Sequence, residues 1–208
     1  MRGESDTLDI ATAVQPPAGT RTVYISYSWG DDSSKEARQR GQVVDNLCAV
    51  LGSKGWNVVR DRSAMRYGGL ITDFMKTITR ADRIIAVISE KYLRSAFCMT
   101  ELHGIYARSM GEKQDFLQRI IPLTLDDVKL SDWHDRAKVT EYWGAQLKEM
   151  EKHLPDLGTV DFALYKAMRN WHNHAGDILA HVSDVLHPHG FDSIVKDDFA
   201  GLIQMLEG

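Results

Sequence analysis

Four short apolar runs, separated by segments with helical periodicity, constrain the fold of this chain more than any other feature. The runs are RTVYISYS (21–28), WNVVRD (56–61), DRIIAVIS (82–89) and QRIIPLTL (118–125). In the first intervening segment, apolar residues recur at spacings of three and four, at Val43, Leu47, Val50 and Leu51. Apolar strands that alternate with amphipathic helices indicate a parallel sheet covered on both faces. We therefore predict an α/β fold with a central parallel sheet of four to five strands.

The regions outside these runs have a different character. Residues 1–20 are small, polar and proline-containing without a period, so we predict a disordered tail or linker. The principal domain is expected at 21–155, followed by a helical extension at 156–208. Helical patterns run over roughly 140–154 and 160–186, and a fifth strand, if present, must lie between 126 and 140.

Charge and cysteine content exclude several classes of partner. The net charge is −4 and the basic residues are scattered, so we expect no direct contact with nucleic acid. The chain has two cysteines, no charged-then-apolar leader and no apolar run near 18 residues. We therefore expect a cytoplasmic protein with no membrane contact.

Ligands of open parallel sheets bind outside the carboxyl ends of the strands, so those ends are searched first. The first strand is followed by Ser28, Trp29 and the pair Asp31 and Asp32. An acidic pair suggests a phosphoryl-acceptor receiver, but the third strand ends AVISEK and supplies no acceptor aspartate. A dinucleotide-binding fold would need G-x-G-x-x-G in the first turn, which is absent from SYSWGDDSSKEA. Both readings are disfavoured.

A family resemblance rests on four quoted stretches and one motif. The stretches are VYISYSWGDD, GWNVVRDRSAMRYGG, ADRIIAVISEKYLRSAFCMTEL and RIIPLTL, and the motif is S-x-x-C-x-x-E-L at Ser95, Cys98, Glu101 and Leu102. In this order they resemble a TIR (Toll/interleukin-1 receptor) domain of the bacterial type over about residues 20 to 150. The resemblance implies a flavodoxin-like sheet, self-association and, in many members, cleavage of NAD+ at the nicotinamide–ribose bond.

Glu101 is the carboxylate that the resemblance makes catalytic. On a helix, Glu101 falls at the edge of an apolar stripe, beside Ile105, so we expect it to be neither buried in the core nor free in solvent. Without the resemblance, the expected reading is a solvated glutamate paired with Arg94 or Arg108. Cys98, on the apolar side of the helix, is expected to be core rather than a nucleophile.

One carboxylate is chemically sufficient for this reaction. Glycoside hydrolysis normally needs a second carboxyl group to protonate a poor leaving group. The nicotinamide of NAD+ is already cationic and leaves as a neutral molecule, so no general acid is required. We therefore predict an NAD+ glycohydrolase that forms nicotinamide and ADP-ribose, or a cyclic ADP-ribose isomer, with NAD+ as substrate and no cofactor.

Five further residues are predicted to bind the substrate. Ser28 and Trp29 are expected to meet the phosphates or stack on a ring, although Trp29 also fits a partly buried anchor. Ser89 is expected at the ribose, although a serine there is as often a helix N-cap. Arg62 and Tyr67 lie in the loop at 61–69, which suits a gate over the pocket, a contact to a neighbouring subunit or a plain solvated loop.

The C-terminal histidines and a second glutamate are less informative, and an alternative function stays open. The histidines at 172, 174, 181, 187 and 189 lack metal-ligand spacing, so we predict no metal site and solvent-facing side chains. Glu141, beside Tyr142 and Trp143, is the rival carboxylate. The alternative function is a non-catalytic TIR scaffold, which needs no glutamate at position 101. The resemblance also implies prokaryotic antiphage defence or signalling, with a regulatory domain or partner protein.

Overall fold

The computed structural model describes residues 21–29, 33–60, 83–185 and 190–207. Its strands are β1 (Thr22–Tyr27), β2 (Asn57–Arg60), β3 (Ile84–Ile88) and β4 (Ile120–Thr124). They form one sheet in the order β2-β1-β3-β4, and every pair is parallel. The prediction of a parallel α/β fold is confirmed. No strand occurs between 126 and 140, where a fifth strand was expected if one existed.

Helices cover the sheet and continue well beyond it. They are α1 (Lys35–Ser53), α2 (Glu90–Leu93), α3 (Ala96–Arg108), α4 (Lys113–Arg119), α5 (Trp133–Lys152), α6 (Thr159–His172), α7 (Ala175–Ser183), α8 (Phe191–Val195) and α9 (Ala200–Glu207). The sequence did not predict α4, and the helix expected over 160–186 is two helices that meet at Asn173 and His174. The helical segment expected between the second and third apolar runs lies outside the described residues.

Strand β1 has buried side chains on both faces of the sheet. Its Val23, Ile25 and Tyr27 belong to one buried cluster, whereas Ser26 and the half-buried Tyr24 belong to the opposite face. Successive side chains of a strand point to opposite faces, so both faces of β1 are occupied by protein. The apolar run of β3 divides in the same way between the two faces.

We call the two sides of the sheet the α3 face and the α1 face. The α3 face packs against helices α3 to α7 through Met99, Leu102, Phe116, Trp143, Trp171, Ile178 and Leu179. The α1 face packs against α1, α8 and α9 through Val43, Leu47, Leu51, Ile194, Leu202, Ile203 and Leu206. Residues beyond 155 therefore contribute to both hydrophobic clusters, although the boundary at 155 itself stays a prediction.

The chain returns to the sheet at Gly190. Its N–H donates to the carbonyl oxygen of Thr124 at 2.8 Å, and the next N–H, of Phe191, donates to Asp126 Oδ1 at 3.1 Å. Gly190 has a φ of 78°, and a Cβ there would lie 2.5 Å from Asp126 Oδ1. Glycine is therefore required at this turn, which directs α8 and α9 to the α1 face.

Among the described residues, no helix combines the length and the apolar character needed to cross a membrane.

Candidate active site

Glu101 lies on α3, which begins shortly after β3 ends at the carboxyl rim of the sheet. Ser95 caps this helix by accepting a hydrogen bond from the N–H of Cys98 at 3.4 Å. Cys98 and Leu102 are buried, so the prediction that Cys98 belongs to the core is confirmed. The motif residues around Glu101 therefore fix the helix and its rotation against the sheet.

The expectation that Glu101 sits between core and solvent is wrong, because its residue exposure is only 3%. The reason is a polar partner that the helix pattern does not display. Ser26, from β1, donates its hydroxyl to Glu101 Oε2 at 2.7 Å. This distance is typical of a hydrogen bond between two oxygen atoms. A buried carboxylate is tolerated when such donors compensate for lost water.

A second hydroxyl extends this contact. The oxygen of Tyr92, on α2, lies 3.0 Å from Ser26 Oγ. Tyr92 is completely buried, and burial raises its pKa well above the usual value, with smaller contributions from nearby Cys98 and Glu101. The phenol is therefore protonated at neutral pH and available as a donor. Glu101, Ser26 and Tyr92 form a continuous buried polar group, which we call the carboxylate triad.

Arg94, one of the two arginines considered as an ordinary partner of Glu101, is engaged elsewhere. Its Nε donates to Glu90 Oε1 at 2.7 Å, and its guanidinium lies 4.8 Å from the centre of the Tyr142 ring. The rival carboxylate Glu141 is exposed on α5.

Ser28 and Ser89 are brought together by the sheet, as residues at the ends of neighbouring strands should be. Their hydroxyl oxygens are 3.1 Å apart, and both residues are buried. Ser89 also accepts a hydrogen bond from the N–H of Tyr92 at 3.1 Å, which makes it the N-cap of α2. The N-cap interpretation of Ser89 is confirmed. In this conformation the two hydroxyls bond to each other, and their contact with a substrate stays a prediction.

Trp29 follows Ser28 and is 46% exposed, so its ring lies at the surface of the carboxyl rim rather than in the core. The partly buried anchor is therefore the less suitable interpretation of this residue, and stacking on a ligand stays a prediction. Arg62, Tyr67 and the loop at 61–69 lie outside the described residues.

A cleft lined by residues of α2 and α5 was not predicted from the sequence. It has a volume of about 570 Å³ including its open mouth, and its lining includes Glu90, Arg94, Asp127, Lys138 and Tyr142. Burial raises the pKa of Asp127, whose Oδ2 accepts the Glu90 N–H at 3.0 Å. Position 127 lies two residues after the fourth apolar run, and this place near a strand end is the signal that would have pointed to it.

Of the three described histidines that were expected to face solvent, one is exposed and two are half-buried. His174 is exposed, but its Nδ1 lies 3.2 Å from His103 Nε2 and the two rings stack. His172 and His181 are half-buried. Within the described part of the chain, no group of three or more potential ligands is arranged for a metal ion. His187 and His189 lie outside it.

The parallel sheet and the polar groups at its carboxyl rim define a flavodoxin-like α/β protein. The chain matches the model of the TIR domain family over residues 23–153, more than half of its length, and so belongs to that family. TMV resistance protein N of Nicotiana glutinosa is 31% identical over 105 residues, which cover 50% of this chain but 8% of that protein. The TIR domains of the activated Roq1 resistosome, which directly recognises the pathogen effector XopQ, match with a TM-score of 0.54 and 21% identity, covering 90% of this chain and 98% of theirs.

Proposed function

We propose that this TIR domain is an NAD+ glycohydrolase with Glu101 as its catalytic carboxylate. The observation that supports this role is the buried Glu101 held by Ser26 at 2.7 Å, next to the strand ends where ligands of such sheets bind. A carboxylate fixed in a largely water-excluded position stabilises developing positive charge more strongly than one in solvent.

The proposed chemistry breaks the bond between ribose C1′ and the nicotinamide nitrogen. The bonding electrons leave with nicotinamide, which becomes neutral, while positive charge develops on the ribose. Glu101 stabilises this charge, and water then adds to C1′ and loses a proton to give ADP-ribose. Attack by the substrate's own adenine in place of water would give a cyclic isomer. Trp29 is assigned to ring stacking, and Ser28, Ser89, Arg62 and Tyr67 to substrate binding.

Self-association is proposed as the activating step, with a neighbouring subunit completing the site. The likeness to TIR domains in an assembled resistosome supports this proposal. A role in prokaryotic antiphage defence or signalling, in the cytoplasm and under a regulatory domain or partner protein, is proposed with it. The similarity to a plant resistance protein supports a defence role in general terms.

The test is release of nicotinamide by concentrated protein, measured chromatographically for wild type, Glu101→Gln and Glu101→Ala. We expect both variants to lose activity by about 100-fold or more, because a preorganised charge at the reacting centre is removed. Glu141→Gln is the matched control, since it changes an exposed glutamate and should retain activity. Equal release from wild type and the Glu101 variants, or none from wild type at high concentration with a crowding agent, would contradict the proposal. The same chromatogram separates linear from cyclic product.

A non-catalytic TIR scaffold is the second candidate, because the burial of Glu101 fits a structural role as well as a catalytic one. A buried glutamate bonded to a strand hydroxyl is also a structural polar group. If the scaffold interpretation holds, Glu101→Gln leaves self-association intact by light scattering and wild type releases no nicotinamide.

A further inference from the structure

The carboxylate triad has two hydroxyl protons for its two hydrogen bonds, and this fixes the direction of both bonds. Ser26 has a single O–H, and that proton points to Glu101 Oε2. In its contact with Tyr92, Ser26 Oγ must then accept, so Tyr92 is the donor. The direction of the chain is therefore Tyr92 to Ser26 to Glu101. The raised pKa of Tyr92 is consistent with a phenol that keeps its proton.

The members of the triad come from three separate elements. Ser26 lies in the central strand β1, Tyr92 in the short helix α2 and Glu101 in α3. Ser26 and Glu101 are 75 residues apart in the chain. Hydrogen bonds between rigid elements of this kind restrict the rotamers of the side chains they join.

Two hydrogen bonds hold the backbone at Tyr92 and at the residue that follows it. The N–H of Tyr92 donates to Ser89, and the carbonyl of the next residue, Leu93, accepts the indole N–H of Trp143 at 2.8 Å. Its ring is completely buried in the cluster of the α3 face. The phenol hydroxyl is therefore held in one position, from which it donates a hydrogen bond to Ser26 Oγ.

We propose that Ser26 and Tyr92 are positioning residues that hold Oε2 of Glu101 and favour its ionised form in the reaction. The inference rests on the proposed NAD+ cleavage and deepens it, because it assigns a role to two residues that do not touch the substrate. Ser26 acts directly on the carboxylate, and Tyr92 acts through Ser26 by polarising its hydroxyl.

The experiment compares Ser26→Ala, Ser26→Thr and Tyr92→Phe with wild type, using the full chain. Ser26→Ala should lower kcat by about 10- to 100-fold with little change in KM, because the reacting group loses its geometry but the binding residues remain. The acid limb of the kcat/KM profile should move to higher pH, since an ionised carboxylate loses a donor. Ser26→Thr keeps the hydroxyl and should restore most of both properties.

Tyr92→Phe removes one oxygen and keeps the buried ring. Its kcat should fall several-fold and its acid limb should move in the same direction as in Ser26→Ala, but less. Tyr165→Phe is the matched control, because Tyr165 is another buried tyrosine whose hydroxyl meets a carboxylate, Glu151 Oε1, at 3.1 Å. It should leave kcat and the pH profile unchanged. A purely structural role would lower the thermal midpoint of the variants without moving the acid limb.

A titration without NAD+ separates failure of this inference from failure of the proposed function. The carboxyl stretching band of Glu101, assigned by its loss in Glu101→Gln, is followed by infrared difference spectroscopy against pH. The Glu101 carboxylate should protonate at higher pH in Ser26→Ala than in wild type. If wild type cleaves NAD+ but Ser26→Ala keeps its kcat and titration, the inference is overturned and the function stands. If wild type cleaves no NAD+, the proposed function and the positioning role in it fail together, and the titration still decides whether Ser26 favours the ionised form of Glu101.

Discussion

Helices cover both faces of the sheet, but the side chains that β1 contributes to the two faces differ in chemistry. On the α1 face, β1 contributes Val23, Ile25 and Tyr27 to an apolar cluster. On the α3 face, the same strand contributes Ser26, which bonds to a buried carboxylate. Alternation along one strand thus separates residues that stabilise the fold from a residue of the candidate site. The following predictions test that separation, beginning with the largest expected effect.

Ile25 and Ser26 are adjacent in β1 but lie on opposite faces of the sheet. We therefore expect Ile25→Ala to lose mainly stability and Ser26→Ala to lose mainly activity. Ile25→Ala removes a completely buried side chain and should lower the free energy of unfolding by about 2–5 kcal/mol. NAD+ cleavage per folded molecule should remain. Ser26→Ala should cost about 1–2 kcal/mol of stability, yet lower kcat. Urea unfolding and steady-state kinetics on both variants check this prediction. A loss of kcat in Ile25→Ala as large as that in Ser26→Ala would contradict the separation of stability from activity between the two faces.

The returning segment 190–207 should stabilise the α1 face as much as a core helix does. Leu202→Ala should lower the free energy of unfolding by about 2–4 kcal/mol, because Leu202 is buried between α9 and the sheet. Met205→Ala, three residues on and 39% exposed, is the control and should change it by less than about 0.5 kcal/mol. Chemical denaturation measures both, and equal small losses would show that the segment is peripheral.

The sequence predicted the alternation of strands and helices because hydrophobic periodicity is local. It also placed Glu101 on the helix after the third strand, since the motif and the order of elements are both visible in the chain. It could not place Ser26 against Glu101, because their contact depends on the register of β1 and the rotation of α3. For the same reason the sequence did not assign Tyr92 to the site, although Tyr92 lies in one of the four stretches that carry the family resemblance. The return of residues 190–207 to the α1 face depends on one turn at Gly190.

Two serines that cap helices allow the same comparison of stability with activity, with smaller expected losses of stability. Ser34 caps α1 by accepting from the N–H of Ala37 at 3.0 Å, and Ser89 caps α2 by accepting from the N–H of Tyr92. Each serine-to-alanine change should cost about 1 kcal/mol of stability. We expect NAD+ cleavage to fall in Ser89→Ala and to be unchanged in Ser34→Ala. Thermal unfolding and nicotinamide release on the pair decide this, and unchanged activity in both variants would remove Ser89 from the site.

The smallest effect is expected from His103 of α3, whose ring stacks on that of His174. Burial, and then the adjacent His174, hold the pKa of His103 below its usual value of about 6.5. Below that pH the unfolded chain binds the proton more readily than the folded one. Stability from this site is therefore complete above about pH 6.5 and falls as the pH drops toward the lower folded value.

Urea unfolding at pH 7.5 and 5.5 should show a smaller pH-dependent loss in His103→Gln than in wild type. His153→Gln changes an exposed histidine and should behave as wild type. An identical loss in His103→Gln and wild type would assign the pH dependence to other groups.

The distribution of hydrophobic contacts also bears on how this chain can be divided for experiments. The match to the family model ends at residue 153, but Trp171 and Ile178 pack on one side of the sheet and Leu202 packs on the other. A fragment cut where the similarity ends would expose apolar surface on both sides at once. Such surfaces favour aggregation over folding. We therefore expect cooperative unfolding to involve more of the chain than the residues that match the family model, and deletions are better designed from the packing than from that match.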